Sequence, residues 1–383
     1  MLDRTLTLTD LTLFGVTSIV GSGGFNLVGK VMRTGGSSWF LGFFISAVLL
    51  MGASYAYSEA FAFSGKNTAE SDLVASVFGP VGEGVSVISI LLFNIVSVAA
   101  ILVFCAHLLA PTSSWLVQVG IALAALGGMA GFSLGGIELN KVTINAIAYI
   151  LVGVLVMAGG LGVYDLAVEG PVTLPPSTSF TTSLLMMFFI LAGFDSNMKF
   201  AGEAADPADI PRSFYSSNII AILLMAGLAL AIQQWLPVLS VAKESNAIGH
   251  LFSVFAGSWI AEPTKYLMIS FMLTTTFIVF LSTTRYLFGL GEKFSALAPL
   301  KELNSASVPY ITVFLVAAII GLAILINCTE SLVRISDVGV IGLLGLVAAA
   351  AAVMDWGEGS LLSAALNGAT ATGFAGMLGI CLL

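Results

Sequence analysis

Four kinds of group in this sequence could bind a small charged molecule, and each lies within or beside an otherwise apolar stretch. Gly21, Ser22, Gly23 and Gly24 interrupt the run GVTSIVGSGGFNLVGK at 15–30. Each glycine inside a helix costs roughly 1 kcal/mol against alanine, so the backbone there must open or approach something closely. Glu59, Asp195 and Glu203 are carboxylates that could hold a proton. Thr274, Thr275 and Thr276 present consecutive hydroxyls that could ligate a hard cation such as sodium, or bond their own helix backbone instead. Asn94 and Ser97 sit about one helical turn apart and could face a substrate or a neighbouring helix.

Soluble chemistry fits these residues poorly. From Gly24 the string GFNLVGK has the glycine and lysine spacing of a phosphate-binding loop, but Val31 stands where a magnesium-binding hydroxyl is required. A dinucleotide turn fails at Asn26, where its third glycine belongs. Cys105, Cys328 and Cys381 have no metal spacing and read as packing residues. His107 and His250 are isolated and read as polar side chains near helix ends or loops. No His, Cys or carboxylate cluster has catalytic spacing, so neither an enzyme, a metal site nor a cofactor is expected.

The elements that carry these groups follow from composition. Of 383 residues, 58% are hydrophobic and 9% charged, against about a quarter charged in soluble domains. The chain therefore reads as a multi-pass integral membrane protein whose solvent is the lipid bilayer, with the plasma membrane as its expected location. Stretches free of Asp, Glu, Lys and Arg cover 11–29, 34–58, 84–137, 142–164, 170–194, 213–242, 266–284, 303–329, 338–354 and 359–383. The third is long enough for two spans of about 20 residues, divided near Pro111, giving about eleven transmembrane helices. The first run lacks the basic cluster and cleavage site of a signal peptide. With the amino terminus in the cytoplasm, eight Lys and Arg fall inside and five outside. A net charge of −8 argues against nucleic acid as a partner.

In hydrocarbon an unpaired amide costs several kcal/mol, so a helix breaks only where protein or a wet cavity satisfies the freed groups. The small residues at 21–24 read either as such a break or as a face for close helix packing. A second irregular stretch, FFILAGFDSNMKFAGEAADPADIPR at 188–212, falls in the sixth span. Paired interruptions at corresponding places mark transporters built from inverted repeats. The expected division is one membrane domain over 1–383, with repeat one at about 11–164, repeat two at about 180–354, and an additional terminal helix at about 359–383. Opposed half-helix ends would offer amides to an anion and carbonyls to a cation, which suits a small zwitterion.

These residues resemble the amino acid permeases of the amino acid, polyamine and organocation superfamily. VGSGGF at 20–25 is similar to the first-helix motif of the family. GFD at 193–195 with AGEAADPADIPR at 201–212 is similar to its sixth-helix pattern, SYAYSEAFAFSG at 54–65 with FGP at 78–80 to its second-helix stretch, and TTRYLFGLGEKFSALAPL at 283–300 to its eighth helix and following loop. The order holds along about 350 residues.

The resemblance implies an all-α, leucine-transporter-like 5+5 inverted repeat with broken helices 1 and 6. It also implies that the substrate carboxylate meets amides of Ser22, Gly23 and Gly24, that the amine meets carbonyls of Ile19 or Val20 and of Ile190 or Ala192, and that Phe189, four residues before Gly193, closes over the substrate. Departures are equally specific. Aligning Asn145 and Ile147 places Val152 where many proton-coupled relatives carry a lysine, Gly202 replaces the first of two glutamates, and relatives usually have twelve helices. Lys199 reads as a partner of Glu203, as part of an inner vestibule, or as a snorkelling side chain.

Two functions follow: a secondary transporter of an amino acid or related small amine, working by alternating access and driven by a proton or sodium ion, or a non-transporting assembly or regulatory partner derived from a permease. Intact glycines favour the first, since a mere partner would gain stability by replacing them. The topology predicts that a tag at Leu383 is labelled from outside the cell or not at all; labelling only from the cytoplasm would contradict it.

Overall fold

The computed structural model describes residues 2–239, 251–253, 256–326 and 329–382, with side chains at all of these except 22, 23, 25, 26, 236–239, 326 and 329–334. His250 and Cys328 lie outside the described residues. Among the described residues the long elements are helices: α1 (Leu8–Gly35), α2 (Trp39–Ser64), α3 (Ala69–Leu109), α4 (Trp115–Ser133), α5 (Ile137–Glu169), α6 (Phe180–Leu191), α7 (Asp209–Leu239), α8 (Ala261–Lys293), α9 (Tyr310–Ile326), α10 (Thr329–Gly357) and α11 (Leu361–Leu382). Among the described residues, nine helical stretches are long and apolar enough to cross a membrane, and two others, Leu8–Gly21 and Tyr310–Leu325, are apolar but shorter.

Packing puts α1 at the centre, against α5, α6, α7 and α8, while α10 lies along α3 and α11. From Phe271 to Gly291 nearly every side chain of α8 is buried. Lipid cannot drive helices together as water does, so contact depends on shape and on small residues. Gly159 and Gly162 of α5 meet Gly227 and Ala231 of α7, and a Cβ at Gly162 would fall 2.5 Å from the Ala231 backbone.

The first helix differs from expectation. No break occurs near Gly21–Gly24: α1 is a continuous α-helix from Leu8 to Gly35. The described glycines serve close approach instead. A Cβ at Gly21 would collide with the Thr275 hydroxyl of α8, and one at Gly24 would lie 2.9 Å from Met225 Sδ of α7. The start of α1 is fixed by a capping box, with Thr7 Oγ1 accepting from the Asp10 amide at 3.3 Å and the Thr7 amide donating to Asp10 Oδ2 at 2.9 Å.

The sixth span does break. α6 stops at Leu191, Ala192 is extended, and Gly193 takes φ 134°, a region open in practice to glycine. Phe194–Phe200 then form a 3-10 helix, every residue of which is buried. The α3 stretch also bends, at Gly79 (φ 68°) beside Pro80, which sets Ala69–Phe78 apart as a short helix at the amino-terminal end of the bundle. At the opposite end the α5–α6 link crosses the α1–α2 turn, where Ser37 N donates to Pro175 O at 2.9 Å and Gln233 ties Trp39 to Val172.

Replacing Gly162 with leucine should push α5 off α7 and destabilise the protein by about 1–3 kcal/mol or more. Gly160→Leu, where a Cβ meets nothing within 4 Å, should leave the detergent melting temperature close to wild type.

Candidate functional site

The broken span and α1 touch through their backbones. A Cβ at Gly193 would lie 2.9 Å from Ser18 O, and the Ser18 and Ser196 hydroxyls stand 3.2 Å apart. Glycine is therefore needed at 193 for both its φ and its closeness to α1. Ile19, Val20, Gly24, Ile190, Ala192 and Gly193 are all buried on these segments, and Phe189 is half-buried. The surroundings of Ser22 and Gly23 lie outside the described residues. Asn94 is buried on α3, and neither atom of its amide has a hydrogen-bond partner among the described residues. A buried amide without a partner carries a penalty that a polar ligand could relieve.

The three threonines are already bonded. Thr274 and Thr276 donate to the carbonyls of Ser270 and Met272, four residues back, at 2.8 and 2.7 Å. Thr275 reaches across to α1 and donates to Thr17 O at 2.6 Å, a polar link that the missing side chain of Gly21 makes room for. Glu59 on α2 is turned to α10 and α11. Its Oε2 accepts from Asn367 Nδ2 of α11 at 2.6 Å, and the same nitrogen donates to Asp355 Oδ2 of α10 at 2.9 Å.

The charged residues converge at the amino-terminal end. Lys199 Nζ lies 2.7 Å from Asp195 Oδ2, 2.9 Å from the Asp195 carbonyl and 2.9 Å from Glu70 Oε1 at the start of α3. All three side chains are removed from solvent, and the Tyr57 ring of α2 lies 5.8 Å from the ammonium. Lys199 thus pairs with Asp195 and Glu70; it neither pairs with Glu203 nor snorkels. Glu203 belongs to a second buried pair, accepting from Arg285 Nε at 3.2 Å and Nη2 at 2.9 Å. Asn67, in the α2–α3 link, accepts from the Gly202 amide at 2.8 Å and donates to the Arg285 carbonyl at 3.4 Å. Lys293 of α8 binds Asp72 and Glu83 of α3.

Backbone pairing completes this latch. Thr5 and Leu6 donate to Glu203 O at 3.0 Å, Ala205 N donates to Leu6 O at 2.8 Å, and Lys141 of α5 reaches Thr5 O at 3.1 Å. The chain start, the α2–α3 link, the α6–α7 link and α8 are thereby joined at one end. Sequence reasoning missed Glu70, Asn67 and Arg285 as parts of one cluster. NTAESD at 67–72 has the composition of an exposed helix start, and the spacing along one helix offered Glu203 to Lys199 instead.

No family model matches the chain. It is 21% identical over 381 residues, covering 92% of this chain and 81% of the relative, to a protein named branched-chain amino acid permease BcaP of Bacillus subtilis (strain 168). This distant similarity supports an amino acid permease in the membrane.

Arg285→Met should cost about 3–5 kcal/mol by stranding the Glu203 carboxylate in the protein interior. Adding Glu203→Leu should recover most of that loss, a coupling readable in a double-mutant cycle of thermal unfolding.

Proposed function

We propose that this chain is an amino acid permease that moves its substrate by alternating access, built as two inverted five-helix repeats, α1–α5 and α6–α10, with α11 appended. The observation that carries this reading is the similarity to a permease along 92% of the chain. The interrupted α6, crossing α1 at Gly193, supports it as a place for a small zwitterion. Since the relative is named for branched-chain amino acids, leucine, isoleucine and valine are the first substrates to try.

In this mechanism the segment at 21–24 is the cheapest part of α1 to unwind, because glycine gains most from backbone freedom. Opening it would free amides of Ser22, Gly23 and Gly24 for the substrate carboxylate, while carbonyls of Ile19 or Val20 and of Ile190 or Ala192 take the ammonium. Phe189 would close over the aliphatic side chain, and Asn94 would supply a polar contact from α3. The buried latch would hold the amino-terminal end, assigned to the cytoplasm, shut while the other end admits substrate.

The second reading, a non-transporting partner, is favoured by one observation, the unbroken α1. Equilibrium binding of labelled leucine, isoleucine and valine to the purified protein separates the two. Wild type should bind at least one of them. Gly23→Leu should abolish binding, and Gly127→Leu, whose added carbons meet open space, should preserve it. Absence of binding by wild type, or normal binding by folded Gly23→Leu, would overturn the carboxylate clamp.

A further inference from the structure

The Lys199 cluster contains one more negative group than it has cations to balance. Lys199 faces two carboxylates, Glu70 and Asp195, and all three are buried to within about 1% of completely. The neighbouring cations are engaged elsewhere: Arg285 holds Glu203 in a forked contact, and Lys293 holds Asp72 and Glu83. Two other helices bring a phenol to the cluster. Tyr57 comes from α2 and Tyr286 from α8; the charge of Glu70 acts on both phenols, Tyr286 is turned to the Ser71 hydroxyl, and the Tyr57 hydroxyl has no partner among the described residues. Glu70 Oε2 and Asp195 Oδ1 likewise have none. A buried, uncompensated carboxylate takes up a proton in preference to remaining charged. Lys199 Nζ already occupies the point between the two carboxylates that a sodium ion would need.

We propose that Glu70, Asp195 and Lys199 form a proton-holding latch: closed, the cluster shares one proton between its two carboxyl groups, and parting α6 from the α2–α3 link wets it and lets that proton leave. The site is built from segments that must separate if this end is to open, since Glu70 begins α3 whereas Asp195 and Lys199 lie on the broken half of the sixth span. Protonation is then tied to the state of the gate. Lys199 is a resident cation one short of the charge around it. The proposal rests on the permease reading for its transport consequence, but not for the proton itself.

Two measurements test it. Infrared spectra of purified wild type at neutral pH should contain a protonated-carboxyl band that is lost or reduced in the Glu70→Gln plus Asp195→Asn double variant; a band unchanged by both substitutions would overturn the shared proton. In sodium-free liposomes holding a pH-reporting dye, leucine, isoleucine or valine flux through wild type should shift the luminal pH. In Glu70→Gln, neutral without a proton, labelled substrate should still exchange against unlabelled substrate inside while the pH shift disappears. A shift equal to wild type in that variant would refute the latch as the proton carrier. If wild type moves none of the three amino acids, the permease reading fails instead, and the infrared result still decides the proton. Size-exclusion profiles establish that each variant is folded; should Glu70→Gln fail there, Asp195→Asn replaces it in the flux experiment with the same expected loss.

Discussion

A charged group that cannot reach water must find its opposite inside the protein, and in this chain that constraint falls on Lys199 and Arg285. Both are wholly buried, and each draws its acid from a segment distant in sequence: Glu70 lies 129 positions before Lys199, and Glu203 lies 82 before Arg285. Desolvating an ion costs several kcal/mol, returned only when geometry and hydrogen bonding are good. The α2–α3 link, the broken sixth span and α8 are therefore held in register at one end, and the pairing of residues 5–6 with 203–205 draws the chain start into the same knot. Neutral hydrogen bonds tie the other end, between the α1–α2 turn and the α5–α6 link. Separation at the charged end would expose or re-pair two buried ion clusters, at a greater cost than separation at the other end.

Between those ends the helices approach on small residues. Thr275 bonds Thr17 because Gly21 leaves room, Gly193 lies on Ser18, and glycines join α5 to α7. In this arrangement Gly21 and Gly24 are closely packed parts of a continuous helix. The same residues would be the least costly place to unwind it, so close packing in one state and a broken helix in another require the same amino acids.

Much of this was legible in the sequence. Charge-free runs located the helices, because a bilayer allows no other reading of such lengths. The break at Gly193 was legible because polar residues follow an apolar run too early for a helix end. The state of α1 was not, since packing and unwinding call for the same small residues. Nor was the partner of Lys199: spacing along one helix suggested Glu203, four positions on, but the tight 3-10 turn from Phe194 to Phe200 directs the lysine back to Asp195, and tertiary packing delivers Glu70. The threonines at 274–276 were read as cation ligands or as backbone-bonded side chains; in the structure each one bonds a carbonyl.

The central proposal is that this bundle carries an amino acid across the membrane, with the branched-chain class the first to try and the buried clusters acting as a gate. Its most direct test is time-resolved uptake of labelled leucine, isoleucine and valine into liposomes holding the purified protein, preloaded with the same unlabelled amino acid or left empty. Saturable uptake of at least one of them, faster into preloaded vesicles and absent from protein-free liposomes, is the predicted result. Uptake indistinguishable from protein-free liposomes for all three, by folded protein in either condition, would contradict it.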